Sequence, residues 1–267
     1  MMAEVVQIDG EESARSEYRA PAAEKVLDIL EFMATQPRSL TQTAISSGLG
    51  RSIHEIYRIL YLLEKRGYLV RTKSDRFRLS LKLFELAHMY PPVNQLIESA
   101  LPAMKDLAAN ADQSCHLVVL KDPRALVVLQ IDSPLPMRYS VALGSQFPIL
   151  ETSGGTVIAA HLPDEERRQL VDRIFAADEA GTDRGEVEER LTKARELGYE
   201  MRPSLAVEGC TNISLPIHDH TGTVIAALTV PFLPQKTARL DKDAVFDLAA
   251  LAAEQISVAL GGGEGST

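Results

Sequence analysis

The feature that most constrains the fold is residues 40–82, which read as two short helices around a glycine-containing turn, followed by a basic hairpin. The second helix opens with a capping-box pattern, in which Ser52 caps the helix and Glu55 returns to the first amide. Two strand-like runs, 68–71 and 76–80, flank a polar turn at 72–75. This order is the plan of a winged helix-turn-helix, which places one helix in the DNA major groove and the hairpin on the backbone beside it.

Local signals place the helices of this first region. A helix is predicted over 21–37, and its inward face is expected to carry Val26, Leu27, Leu30 and Met33. Thr41 is predicted to cap a second helix that runs through Ser47, and Gly67 to end the third. Helical spacing turns four residues of the third helix inward: Ile53, Ile56, Leu60 and Leu63.

Charge is distributed unevenly along the 267 residues, whose formal net charge is −9. Residues 19–82 hold twelve Lys or Arg and six Asp or Glu, whereas residues 83–267 hold fifteen and twenty-six. A basic module is thus joined to an acidic one, and only the first favours an anionic partner.

The predicted recognition helix and wing supply candidate DNA contacts. With the apolar face turned inward, the N-terminal part of the helix presents polar and basic side chains to the major groove, where arginine can bind guanine bidentately. The wing adds basic residues that bind phosphates and fix the register without reading sequence. The predicted DNA-binding residues are Arg51, Ser52, His54, Tyr57, Arg58, Lys73 and Arg76.

The remaining chain divides into further segments. Residues 1–18 are predicted to be a disordered acidic tail, 19–80 the winged helix-turn-helix, 81–92 a linker helix, and 261–267 a flexible tail. Within 93–260, helices are expected at 93–110, 152–162, 164–176, 186–197 and 241–260, and strands at 115–121, 125–132, 137–143, 211–217 and 223–230. Strands grouped at both ends, with helices between them, predict an antiparallel α+β domain and a two-domain α+β chain overall.

Other patterns restrict the function classes. Cys115 and Cys210 do not make a metal or disulfide spacing, and no apolar run or leader indicates a membrane or an export signal. We therefore expect a cytoplasmic protein without cofactor, metal or membrane partner. No catalytic motif is recognised, although Cys210 with His218 or His220 leaves open a small-molecule enzyme that retains a DNA-binding module. An architectural DNA binder is the other alternative.

The chain resembles the IclR family of bacterial transcriptional regulators from about residue 20 to residue 260. In the first domain the resemblance rests on the register of Leu40, Ile45, Gly50, Ile56, Arg58, Leu60 and 66–69. In the second it rests on two long runs, VVLQIDSPLPMRYSVALGSQFPILETSGGTVIAAHLP and LGYEMRPSLAVEGCTNISLPIHDHTGTVIAALTV.

The resemblance implies a dimer, or a dimer of dimers, that binds palindromic double-stranded operator DNA. It also implies that the second domain is a GAF-like effector-binding module for a small organic acid, which can be aromatic. The glycine turn at 153–155 is then expected to hold a carboxylate at a helix N-terminus. The effector residues that it implies are Leu135, Met137, Leu143, Phe147, Ser153, Gly154, Gly155, Arg202, Asn212 and Thr229.

Several of these positions have a second interpretation. Arg202 stands where many members have an aspartate, so it either binds an anionic effector or faces solvent. Asn212 stands where many have a cysteine, and it is either a ligand contact or a structural amide. Leu135, Met137, Leu143 and Phe147 could be core residues. His116 is interpreted as a satisfied core or rim histidine rather than a metal ligand.

Overall fold

A computed structural model describes residues 20–88, 91–177, 183–236 and 239–262 of the chain. The predicted tail at 1–18 and residues 263–267 of the predicted C-terminal tail lie outside these ranges. The chain divides into two compact units between Met89 and Tyr90. None of the helices in the described ranges is long and apolar enough to span a membrane.

The first unit contains helices α1 (Pro21–Ala34), α2 (Gln42–Gly48) and α3 (Ile53–Lys65), the two-stranded wing β1 (Leu69–Arg71) and β2 (Phe77–Leu79), and helix α4 (Lys82–His88). β1 and β2 pair antiparallel, and Leu40 forms an isolated bridge with Phe77. The capping box of Ser52 and Glu55 and the cap of Thr41 are confirmed. Gly67 follows α3 with φ +80°, which fits a glycine just past a helix end.

The core of the first unit corrects two sequence predictions. The predicted inward residues Leu27 and Ile53 are 56% and 44% exposed. Ile29 is fully buried in α1 instead, because it lies one turn before Met33 on the same face. Ile53 is the first residue of α3, so the buried face of that helix starts at Ile56. The core consists of Ile29, Met33, Ile45, Ile56, Leu60, Leu63, Leu69 and Phe77.

The second unit is built on one six-stranded antiparallel sheet in the order β5-β4-β3-β8-β7-β6. Its strands are β3 (Cys115–Lys121), β4 (Arg124–Ile131), β5 (Gln146–Pro148), β6 (Glu200–Pro203), β7 (Thr211–His218) and β8 (Val224–Phe232). Its helices are α5 (Pro91–Ala111), α6 (Ser153–His161), α7 (Asp164–Ala176), α8 (Arg184–Leu197) and α9 (Lys242–Ala259), and a short 3-10 helix spans Ile149–Glu151. The predicted α+β fold is confirmed.

Strand alternation assigns the two faces of this sheet. Leu117 and Leu228 belong to the larger core, which packs under α5 and α9, whereas Val118 and Ala227 face the opposite side with α6. Successive side chains of a strand point to opposite faces of the sheet. One face is therefore covered by α5 and α9, and the other face by α6. The candidate cavity lies on the α6 face.

Three sequence-based expectations for the second unit need correction. The predicted strand at 137–143 is wrong: this segment is a loop that Asp132 organises, accepting hydrogen bonds from Ser140 Oγ at 2.7 Å and Arg138 Nε at 3.1 Å. The short edge strands β5 and β6 were not predicted. α5 begins at Pro91 rather than at residue 93, since proline is well suited to the first turn of a helix.

Candidate DNA surface and effector cavity

The exposed face of α3 carries three of the predicted DNA contacts. His54, Tyr57 and Arg58 are all exposed, and Tyr57 leaves 59% of its surface in solvent. Arg58 makes no ion pair with any residue that the structure describes. An aromatic ring and an uncommitted guanidinium on one helix face are suited to groove contacts.

The two predicted contacts at the start of α3 have local partners. Arg51 Nη2 pairs with Asp28 Oδ2 at 2.5 Å, which ties the start of α3 to α1. Ser52 Oγ accepts a hydrogen bond from Glu55 N, and the Ser52 amide donates to Glu55 Oε2 at 2.9 Å. The capping bond from the Ser52 amide, followed by the Lys25 ion pair, lowers the pKa of Glu55 to about 2. These residues therefore fix where the helix begins.

The wing contains both free and paired basic residues. Lys73 is exposed at its tip, without an ion pair to any residue within the described ranges. Arg76 Nη1 donates to the Ser39 carbonyl at 3.2 Å. Arg71 forms an ion pair with Asp75 and lies 5.5 Å from the centre of the Phe77 ring. The side chain of Lys73 is thus the one at the tip that is available to a phosphate.

In the second unit, a cavity of about 110 Å³ lies between the sheet and the start of α6. Most of its surface is apolar, and its polar groups come from the sheet, the α6 turn and the loop after β6. Its wall consists of His116, Val118, Ala125, Tyr139, Val141, Phe147, Glu151, Thr152, Ser153, Gly154, Ser204, Leu205, Ala206, Asn212 and Thr229.

The start of α6 forms the polar end of the cavity. Thr152 Oγ1 caps the helix by accepting from Gly155 N at 3.1 Å. Ser153 is only 1% exposed, and its Oγ has no hydrogen-bond partner. A helix N-terminus favours an anion, and a buried hydroxyl without a partner is a ready donor to it. The arrangement can accept a carboxylate.

Glycine allows α6 to approach the sheet closely. A Cβ atom on Gly154 would lie 2.7 Å from Val118 Cγ2 and 2.8 Å from Thr229 Oγ1. A Cβ atom on Gly155 would lie 2.0 Å from the Ile149 carbonyl oxygen. Larger residues would displace the helix and change the cavity.

The sheet supplies a second polar group. His116 lies on β3 opposite Gln130 of β4 and Thr229 of β8, and its Nδ1 is buried without a partner. Burial lowers the pKa of His116 to about 4, so its imidazole is neutral at pH 7. The prediction of a satisfied histidine was wrong, because no donor or acceptor in the described ranges reaches Nδ1.

Two family models match the chain: the IclR helix-turn-helix domain over residues 22–73, and the bacterial transcriptional regulator IclR C-terminal domain over residues 89–258. The chain belongs to the IclR family. Transcription regulation and DNA binding follow from this assignment.

Among IclR relatives, the transcriptional regulator KdgR of Escherichia coli K12 is 28% identical over 244 residues, covering 89% of this chain and 91% of KdgR. The glycerol operon regulatory protein of Streptomyces coelicolor is 28% identical, covering 81% and 86%. Two solved structures confirm the fold: IclR of Thermotoga maritima (TM-score 0.72, 20% identity) and an IclR homolog of Microbacterium hydrocarbonoxydans complexed with 4-hydroxybenzoate (TM-score 0.74, 22% identity). Each covers 90% of this chain and 98% of its own.

The structure brings together half of the effector residues that the IclR resemblance implied. Phe147, Ser153, Gly154, Asn212 and Thr229 line the cavity. Leu135, Met137 and Leu143 do not, and Met137 and Leu143 are 75% and 68% exposed, because their segment is a surface loop. Gly155 lies one residue behind the wall, where it permits the contact with Ile149.

Arg202 also lies behind the wall and not in it. Its Nη2 donates to the Glu151 carbonyl, and its Nε lies 3.7 Å from Glu200 Oε2. Arg190 binds the other oxygen of Glu200 at 3.1 Å and the Leu150 carbonyl at 3.1 Å. Burial, followed by repulsion from Arg190, lowers the pKa of Arg202. This IclR domain thus holds the turn before α6 with two arginines that share one carboxylate.

Sequence reasoning missed part of the wall for identifiable reasons. His116 and Val118 alternate on β3 and could have been assigned to one face, but only α6 shows which face carries the cavity. Ser204–Ala206 and Tyr139 come from loops, which carry no periodicity. Cys210, the candidate nucleophile, is buried, and burial raises the pKa of its thiol. A protonated thiol is a poor nucleophile.

Two buried serine hydroxyls, one in the cavity wall and one on β7, are expected to differ in their effect on stability. We expect Ser153→Ala to leave the melting temperature of the ligand-free protein unchanged or raised, because its Oγ has no partner to lose. Ser214→Ala is the matched control. Ser214 Oγ is bonded to Thr229 Oγ1 at 2.9 Å, so its loss should cost about 1–3 kcal/mol. Thermal unfolding of both variants measures the difference, and equal destabilisation would contradict it.

Proposed function

We propose that this chain is a ligand-responsive regulator in the cytoplasm. It binds palindromic operator DNA as a homodimer or a dimer of dimers, and a small organic acid, which can be aromatic, controls its affinity or its activating function. The observation that carries the effector proposal is the buried Ser153 Oγ, unpartnered at the α6 N-terminus in the wall of an otherwise apolar cavity. A carboxylate bound there would give Ser153 its missing acceptor.

The geometry of α3 supports the DNA-binding part of the proposal. Ser52 and Glu55 fix the start of the helix, and Arg51 is committed to Asp28. The residues left to meet base edges are His54, Tyr57 and Arg58, which lie in the first two turns of the helix. We propose that Arg51 and Ser52 act mainly by holding this helix, and that Lys73 and Arg76 bind phosphates.

The apolar part of the cavity supports an effector with a hydrocarbon body. Val118, Ala125, Val141 and Phe147 surround the space in front of Ser153. The volume of about 110 Å³ suits a compact molecule. The Microbacterium hydrocarbonoxydans homolog was solved with 4-hydroxybenzoate, which makes that acid a reasonable probe here.

A symmetric operator provides a simple route for control. A dimer meets two half-sites at a fixed helical spacing, so a small change in the spacing of its DNA-binding units alters affinity. We propose that effector binding acts in this way through the chain connection at residues 81–92. A coupling of about 1–3 kcal/mol would be sufficient for regulation.

The first prediction of this proposal concerns base recognition. Arg58→Ala should weaken operator binding by about 1–3 kcal/mol and relax base preference, because a bidentate guanidinium contact is lost. Arg66→Ala is the control, since Arg66 is also an exposed arginine but stands at the C-cap of the same helix. Gel-shift titrations measure both. An Arg58→Ala protein that binds as tightly as Arg66→Ala would remove Arg58 from the groove.

A second prediction concerns the wing. Lys73→Ala should weaken binding to all sequences alike and reduce the slope of log affinity against log salt by about one contact. Arg71→Ala should change the slope less, since Asp75 already neutralises Arg71. Fluorescence anisotropy across a salt series measures the slopes. If both variants change the slope equally, the ion pair does not withhold Arg71 from DNA.

A third prediction tests the cavity as the control site. An organic acid that raises the melting temperature of the full-length protein, by binding its native state, should also shift the operator-binding curve. Ser153→Ala should lose both responses while keeping wild-type DNA affinity without ligand. A response that survives in Ser153→Ala would place the effector elsewhere, and an operator curve that no binding acid shifts would contradict ligand control.

A further inference from the structure

The cavity wall contains a second polar group without a partner, His116 on the sheet. β3 lies between β4 and β8, and the register places Gln130 and Thr229 beside His116. Val118, two residues further along β3, shares this face and lines the same cavity. His116 is therefore part of the wall of the cavity that Ser153 also lines.

The hydrogen bonding around His116 is incomplete. Its Nδ1 is buried without a partner, and so is Oε1 of the neighbouring Gln130. Nε2 of Gln130 donates to Ile131 O and to Asp132 Oδ1, each at 3.2 Å. Thr229 is already bonded to Ser214 at 2.9 Å. Buried polar atoms are nearly always paired in native proteins, so an open atom in a cavity wall indicates a group that a ligand supplies.

The charge of His116 decides which kind of ligand group can bind to it. His116 is kept neutral by burial. The other titratable side chains of the wall are Tyr139 and Glu151, and Arg202 and Glu200 lie behind Glu151. A neutral imidazole offers one donor and one acceptor, which match a hydroxyl better than a second carboxylate.

We propose that His116 is a specificity-determining residue that binds an uncharged hydroxyl of the effector. The effector class is thereby narrowed to small hydroxy acids, with the carboxylate at Ser153 and a hydroxyl at His116 in the same cavity. This inference rests on the proposed effector function of the same cavity. His116 would let the protein distinguish a hydroxy acid from the acid without the hydroxyl, which a carboxylate site at the helix N-terminus alone cannot do.

The test uses full-length protein and two pairs of acids that each differ by one hydroxyl: benzoate with 4-hydroxybenzoate, and butyrate with 4-hydroxybutyrate. Isothermal titration calorimetry should give wild-type protein a preference of about tenfold or more for the hydroxy acid of at least one pair. His116→Phe should remove this preference, so that the hydroxy acid of the pair binds no more tightly than the plain acid. His116→Gln, which keeps a hydrogen-bonding group, should restore part of it.

His218→Phe is the matched control. His218 is also a partly buried histidine whose pKa burial lowers, but it ends β7 and does not line the cavity. Its preference should equal that of the wild type. The pH profile is a second readout that needs no variant: affinity for the hydroxy acid should stay constant from pH 6 to pH 8, because His116 is neutral throughout.

Each outcome separates this inference from the proposed function. Acids that bind without any hydroxyl preference would overturn the role of His116 and leave the acid site standing. A preference that persists in His116→Phe, or an affinity that falls from pH 6 to pH 8, would overturn it as well. If no acid of either pair binds the wild type, the acid site itself fails, and this inference with it.

Discussion

The close approach of α6 to the sheet is the constraint on which the second unit depends. Gly154 lies against Val118 and Thr229, and Gly155 against the Ile149 carbonyl, at distances that leave no space for a Cβ atom. This contact points the N-terminus of the helix into an apolar cavity instead of solvent. The same approach buries Ser153, and a buried hydroxyl near unpaired helix amides is where an anion gains most.

The first unit is net basic and the second is net acidic, which agrees with DNA binding by the first unit. Basic residues are concentrated in the first unit, but several of them are committed to structure: Arg51 to Asp28, and Arg71 to Asp75. Arg58 and Lys73 remain uncommitted within the described ranges. The basic residues of this unit therefore have different roles: some hold its elements together, and others are left to contact DNA.

Sequence alone predicted most of the helices, because caps and helical spacing are local signals. Ser52 with Glu55 and Thr41 are examples. It missed β5 and β6, since strands of three and four residues at sheet edges are defined by their partners rather than by their own pattern. The helix at α6 was predicted from its residues, whereas the role of its first turn in effector binding came from the family resemblance. His116 was misread, because its missing partner becomes visible only when β4, β8 and α6 are assembled around it.

The two arginines that share Glu200 have a consequence for how this domain can change. Losing Glu200 would leave two partly buried guanidinium groups facing each other, and losing either arginine would release a carbonyl of the 3-10 helix that precedes α6. Substituting an aspartate at residue 202 would place two carboxylates near each other on β6, at positions 200 and 202. Positions 190, 200 and 202 therefore form one electrostatic unit, and we expect a substitution at one of them to be tolerated only with a compensating change at another.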